Sequence, residues 1–160
     1  MSVIRRITMT YLFWIMFTEA VGITAGFLTR GDVEIYASSI IKPFLSPPAL
    51  LLPVVWTVLY ALMGISAARI YAAPKSKERT KGLWLFMVQL GINFAWCFVF
   101  FTLRMFLAAS VCLAVMIVLV VMMCSYFRKV DALSAYLQIP YMVWLVFAEY
   151  LSLGVYFLNT

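Results

Sequence analysis

Histidine is absent from this chain of 160 residues. Its absence removes histidine metal ligation, histidine-bound haem and the usual serine–histidine pair at once. Charge is scarce too: charged residues make up 11%, against about 25% in soluble globular chains. Cysteine is limited to Cys97, Cys112 and Cys124, which show no paired spacing, so neither a zinc site nor a disulfide framework is indicated. The sequence has no hydrolase elbow, no phosphate loop and no internal repeat. Most enzyme classes lose their usual machinery on these grounds.

What is present is apolar. Hydrophobic residues make up 66% of the chain and aromatics 17%, with a mean hydropathy of +1.05. A soluble domain of this size could not hide so much apolar surface. Crossing about 30 Å of hydrocarbon takes roughly 20 apolar residues as a helix, and five stretches meet that length, at about 7–28, 50–73, 82–103, 106–127 and 132–158. The runs lack the alternation of a lipid-facing barrel strand, and lipid admits only helices or closed barrels. The expected fold is all-α: an integral membrane protein forming a single transmembrane domain over residues 1–160, a bundle of five transmembrane helices with a structured loop, about 29–49, between helices one and two. Arg5 and Arg6 precede the first run as in a signal peptide. That run is too long for a signal core and is interrupted by Glu19, so it is read as helix one.

The basic residues give an orientation. Arg5, Arg6, Arg69, Lys75, Lys77, Arg79, Lys81, Arg128 and Lys129 fall on one side of a five-helix chain, and only Arg30, Lys42 and Arg104 on the other. The bias predicts a cytoplasmic N-terminus and a C-terminus on the opposite side of the bilayer. The run "KSKERTKG" (75–82) is read in that light as a topology anchor, and no nucleic-acid partner is expected.

The first loop is unusual. "TRGDVEIYASSIIKPFLSPP" (29–48) carries Val33, Ile35, Tyr36, Ile40, Ile41, Phe44 and Leu45, too apolar for a free linker, and it ends in a cluster of prolines. Pro43, Pro47 and Pro48 stiffen it and deliver the chain to helix two, with Pro53 in that helix's first turns. It reads either as a lid over a cavity or as a segment lying among the headgroups. Three helical stripes support the cavity: Trp56, Tyr60, Met63 and Ala67; Gln89, Asn93, Trp96 and Phe100; and Tyr141, Trp144, Ala148 and Ser152 with Gln138 and Leu145 beside them. Amides at membrane depth are costly against lipid and should face the interior. The stripes can converge on a pocket for a flat, largely apolar ligand, or simply pack and hydrogen-bond one another.

Three pieces carry a resemblance. "KPFLSPPALLLPVVWTVLYALMGISA" (42–67), "NFAWCFVFF" (93–101) and "IPYMVWLVFAEYLSLGVYFLN" (139–159) resemble the tryptophan-rich sensory protein/translocator protein family, also called the peripheral benzodiazepine receptor family. The resemblance spans helices two to five and the loop before them; helix one carries no motif of its own. It implies a five-helix fold, often dimeric, with a pocket closed by the first loop. The ligands it implies are porphyrins and other tetrapyrroles, benzodiazepine- and isoquinoline-type drugs and, in some members, cholesterol. The family's pocket tryptophans fall on Trp56 and Trp144, its helix-three asparagine on Asn93 and its small helix-five residue on Ala148. With the stripes and the loop aromatics, the candidate ligand-binding set is Tyr36, Phe44, Trp56, Tyr60, Gln89, Asn93, Trp96, Trp144 and Ala148. No cofactor and no metal ligand is expected.

The departures are specific. Ile35 and Phe44 stand where the family usually has tryptophan, which weakens the carry-over of porphyrin affinity. Tyr156 is followed by "FLNT" without a basic residue, which removes the weak sterol motif. The leading expectation is a receptor- or sensor-like binding protein. The alternatives are a tetrapyrrole transporter and a light-dependent porphyrin-degrading enzyme using Trp56 and Trp144. Glu19 and Glu149, at mid-span, read as a proton relay or ligand counter-charge, or as protonated acids bonded to a neighbouring helix. The pairs Gly22–Gly26 and Gly91–Ala95 allow close helix approach within a bundle or across a homodimer, the second pair being favoured for the dimer.

Overall fold

A computed structural model of the protein describes residues 3–160. Among these, six α-helices follow in order: α1 (Val3–Ser39), α2 (Leu51–Ala72), α3 (Lys77–Cys97), α4 (Phe106–Val130), α5 (Ala132–Tyr136) and α6 (Ile139–Asn159). A π-helical turn, Phe98–Thr102, extends α3, and the short α5 leads into α6. Taken with these extensions, five helical segments are long and apolar enough to cross a membrane.

Local chemistry sets most boundaries. Leu51 N–H donates to the Pro48 carbonyl at 2.9 Å, so α2 starts directly after the double proline. Ser76 caps α3 by accepting from Arg79 N–H at 3.1 Å. Asp131 caps α5, accepting from Ser134 N–H at 3.1 Å, and Pro140 sits in the first turn of α6, where its missing donor costs nothing. The join between α5 and α6 lies directly ahead of Pro140.

The first helix corrects the expected boundary. Helix one was expected to end near residue 28 and the loop to run from about 29 to 49, since charge marks the end of a hydrocarbon span. Instead α1 continues unbroken to Ser39, and only residues 40–50 form the non-helical connection. The charged stretch ends the apolar run without ending the helix. No proline occurs before Pro43, and the extension has tertiary partners: Thr102 Oγ1 donates to Asp32 Oδ2 at 2.7 Å, and the Tyr36 ring meets Phe100 and Phe101 at 5.3 and 5.4 Å.

The helices pack as α1 on α2, α3 on α4 and α4 on α6. The α1–α2 contact is close because Gly64 has no side chain: a Cβ there would lie 2.6 Å from Ile15 Cα. Thr18, fully buried, reaches across the same interface to the Tyr60 carbonyl at 2.8 Å. On α4, Leu113, Met116, Val120, Met123 and Phe127 are buried, while Val111, Val115, Val118, Val121 and Met122 face outward. An outward face of that kind is stable in hydrocarbon and costly in water.

Candidate functional site

The three stripes converge, and they divide into two layers. In the deeper layer four polar side chains bond one another, while Gln89 Nε2 and the amide of Gln138 find no partner among the described residues. Tyr60 Oη donates to Asn93 Oδ1, Asn93 Nδ2 donates to Tyr141 Oη at 3.1 Å, and Tyr141 Oη donates to Gln89 Oε1 at 2.8 Å. These bonds tie α2, α3 and α6 together, and all four side chains are buried. Buried amides and phenols belong in such a chain, because each unpaired group would cost about 1–3 kcal/mol.

Toward the end of the bundle where residues 40–50 cross, the stripes turn aromatic and leave a cavity. It measures about 720 Å³ out to the surrounding atoms, mouth included, and about 80 Å³ to the centre of a water-sized sphere. The smaller measure falls short of the roughly 300–1,000 Å³ typical of small-molecule sites, and the larger one takes in open space at the mouth. Trp56 of α2 and Trp144 of α6 form two walls, edge-to-face with ring centroids 6.2 Å apart. Trp56 is held from behind by stacking on Tyr60 at 5.5 Å. Trp96 and Phe100, stacked at 5.1 Å, form the α3 side, and Ala148 and Leu151 complete the α6 side. Phe101 also lines the cavity. Consecutive residues reach it because the π turn inserts a residue into the register, shown by Leu103 N–H bonding to the Phe98 carbonyl at 2.8 Å.

The cover has two parts. Val33, Tyr36 and Ala37 come from the helical extension of α1, and Lys42, Ser46, Pro47 and Ala49 from the connection. The connection is tied to α6. Asn159 bonds Ile41 in both directions, accepting from its N–H at 3.0 Å and donating to its carbonyl at 2.8 Å. Tyr150 Oη donates to the Phe44 carbonyl at 2.7 Å, and the Pro43 ring fills the space that a side chain at Gly154 would take. Leu45 turns the chain with φ 71°, in the left-handed region, and Ser46 closes the turn onto the Pro43 carbonyl.

Of the expected set, Tyr36, Trp56, Trp96, Trp144 and Ala148 meet at this cavity. Tyr60, Gln89 and Asn93 do not line it; they stand behind it in the hydrogen-bond chain. Phe44 does not line it either: it is 84% exposed, beside the turn at Leu45. Leu151 had a legible signal, one turn beyond Ala148, whereas Phe101 had none, since a helical repeat places it off the stripe. A second hollow, about 310 Å³ to the centre of a water-sized sphere, lies at the other end beside Arg6, Trp14 and Tyr71, and includes none of these residues.

A model of the TspO/MBR family matches residues 9–158. The chain belongs to the TspO/MBR family. Among curated proteins it is similar to a tryptophan-rich protein TspO of Chlorobaculum tepidum, at 32% identity over 141 residues, covering 88% of this chain and 89% of the relative. It is similar also to a tryptophan-rich protein TspO of Bacillus cereus, at 35% identity over 160 residues, covering 90% and 100%. A translocator protein of Bos taurus is 33% identical over 144 residues, covering 83% and 85%. The TspO/MBR match takes in most of α1, the helix without a motif of its own. With five apolar spanning segments, this TspO/MBR protein is an integral, multi-pass membrane protein whose surroundings are the lipid bilayer.

Proposed function

We propose that this TspO/MBR protein is a receptor- or sensor-like binding protein for flat hydrophobic ligands. Porphyrins and other tetrapyrroles are the leading class, and benzodiazepine- and isoquinoline-type molecules fit the same chemistry. The ligand sits between α1, α2, α3 and α6 beneath residues 40–50, with the N-terminal end of the bundle on the cytoplasmic side. One observation carries the reading: Trp56, Trp96 and Trp144, from separate helices, line one largely apolar cavity under a tethered cover. Aromatic walls offer stacking area to a flat ring, and a packed bundle without a ligand would fill that space with side chains. A homodimer through the outward face of Gly91 and Ala95 accompanies it, since Gly91 has no neighbour within 4 Å in its own chain.

The test is quenching of tryptophan fluorescence by protoporphyrin in detergent, in the dark, for wild type and Trp144→Phe. Saturable quenching, weakened in the variant, is the expected result. Quenching that never saturates overturns the tetrapyrrole assignment.

A second reading draws on the edge-to-face contact of Trp56 and Trp144. Adjacent indoles can donate an electron to a photoexcited macrocycle, so the same samples are then illuminated. Loss of the porphyrin absorption bands that requires Trp144 would make the protein a light-dependent porphyrin-degrading enzyme.

A further inference from the structure

Resting on the binding reading above, we propose that the cavity selects amphipathic acids: flat ligands with an anionic group at the mouth, paired by Lys42, and a hydrogen-bond acceptor against the α3 wall, met by the indole N–H of Trp96.

The polar atoms of the lining are one-sided. No aspartate or glutamate lines the cavity. The nearby acids lie outside the lining: Asp32, which accepts from Thr102, and Glu34 on the α1 extension, and Glu149 beside Ala148 on α6, with Oε2 buried and unpartnered among the described residues. Lys42 is the single charged residue of the lining. Its ammonium donates to the Ala37 carbonyl at 2.6 Å and lies 5.6 Å from the centre of the Tyr36 ring. Those contacts fix its position at the mouth and leave donor capacity, since an ammonium has three N–H bonds. A carboxylate arriving there replaces solvent without meeting an acidic side chain of the lining.

Trp96 supplies the inner contact. Its side chain is 7% exposed, and Nε1 is buried without a hydrogen-bond partner among the described residues. The ring packs on Phe100, stacked at 5.1 Å, and on Phe101, edge-on at 6.0 Å. A buried donor left unpaired carries the full penalty of its desolvation, and an acceptor on a ligand recovers much of that. The amide that the sequence offers for this role is engaged: Asn93 uses Oδ1 for Tyr60 and Nδ2 for Tyr141. Gln89 Nε2 is likewise unpartnered but lies off the cavity.

The test titrates wild type, Lys42→Gln and Trp96→Phe with protoporphyrin and with its dimethyl ester, read from the ligand's own absorption band. The ester loses the negative charge and keeps its carbonyl acceptors; detergent partition is common to all three proteins and cancels in ratios between them. The acid-to-ester preference should fall about three- to fivefold in Lys42→Gln, the value of a partly exposed charge pair. Trp96→Phe keeps an aromatic ring, and should weaken both ligands alike, by about fivefold. The Trp96 indole N–H resonance in ¹⁵N-tryptophan-labelled protein should move on saturation. An acid-to-ester ratio equal in wild type and Lys42→Gln overturns the anionic half, and an unmoved Trp96 resonance at saturation overturns the acceptor half. Failure of wild type to bind either compound overturns the binding reading itself, a result distinct from both.

Discussion

The hydrogen-bond chain behind the cavity yields a quantitative prediction. Replacing Asn93 by leucine keeps the branched heavy-atom skeleton and deletes two bonds in a side chain that is 1% exposed. The two neighbours fare differently. Tyr141 retains Gln89 Oε1 as its acceptor at 2.8 Å, so it loses only a bond it received. Tyr60 loses the acceptor of its hydroxyl, and its ring is 4% exposed, so that hydroxyl is stranded away from solvent. Interhelical hydrogen bonds in membranes average about 0.6 kcal/mol and reach about 1.7, whereas an orphaned buried hydroxyl costs about 1–3. Asn93→Leu should therefore destabilise by about 2 kcal/mol, and Tyr60→Phe, which strands only the Asn93 carbonyl oxygen, by about 1.

The double variant separates the terms. With both polar partners gone nothing is stranded along this bond, and the pair should cost about 2 kcal/mol, short of the sum by about 1, or roughly fivefold in the folded-to-unfolded ratio. Reversible unfolding of the purified protein in mixed micelles of increasing denaturing detergent, followed by circular dichroism, measures all four corners of the cycle. Additivity within about 0.3 kcal/mol would refute the chain as drawn, since uncoupled sites add to that precision.

Other contacts give sharper local tests. Gly64→Ala should destabilise by about 2 kcal/mol, because the added methyl would lie 2.6 Å from backbone Ile15 Cα; Gly91→Ala, with no neighbour within 4 Å, should be neutral or slightly stabilising in the same assay. Asn159→Ala removes both bonds to Ile41 and should raise amide exchange across residues 40–44 about tenfold, with α2 protection unchanged. Asp131, between α4 and α5, is held down to about 2 chiefly by its hydrogen bonds with Arg69, at 2.7 and 3.0 Å, with Ser134 assisting and burial opposing. Its folded value lies below the unfolded one, so its stabilisation is complete above the ordinary carboxylate range near pH 4 and is lost as pH falls toward 2. Stability profiles of wild type and Asp131→Asn should differ by a gap that is full at pH 6 and closes across that window.

The helix count and the inward faces were legible in the sequence because lipid imposes them: length and hydropathy fix the spans, and uncharged polar residues such as Gln89 and Asn93 must turn inward. The walls Trp56, Trp96, Trp144 and Ala148 were legible for the same reason, as points on helical stripes. The roles within the stripes were not. Periodicity gives the angle around a helix and says nothing of which neighbours satisfy an amide, so Asn93 and Gln89 read equally as ligand contacts or as partners of neighbouring side chains; the structure pairs them with Tyr60 and Tyr141. The extent of α1 was illegible because charge ends a span and leaves a helix free to continue. Gly22, read as half of a pair for close helix approach, packs inside the bundle against Tyr60, whereas Gly91 stays open.

The two positions at which the chain departs from the family's tryptophans bear on how the cavity closes rather than on what lines it. Ile35 is 44% exposed on the α1 extension and Phe44 is 84% exposed in the turn, and neither contributes to the lining. Tyr36, the neighbour that does face inward, is retained and wedged against Phe100 and Phe101. Smaller side chains at 35 and 44 thus leave the stacking surface of Trp56, Trp96 and Trp144 intact. They remove apolar area from the outside of the cover, where it would meet headgroups or a bound molecule's protruding edge. The cover is instead held by polar ties to α6, through Asn159 and Tyr150, and by Pro43 seated on Gly154. Ties of that kind are few and individually worth about 1 kcal/mol, so the cover can release and re-form without disturbing the spans beneath it. Under the binding function proposed above, the walls set which ligand fits, and the ties to α6 set how fast it enters and leaves.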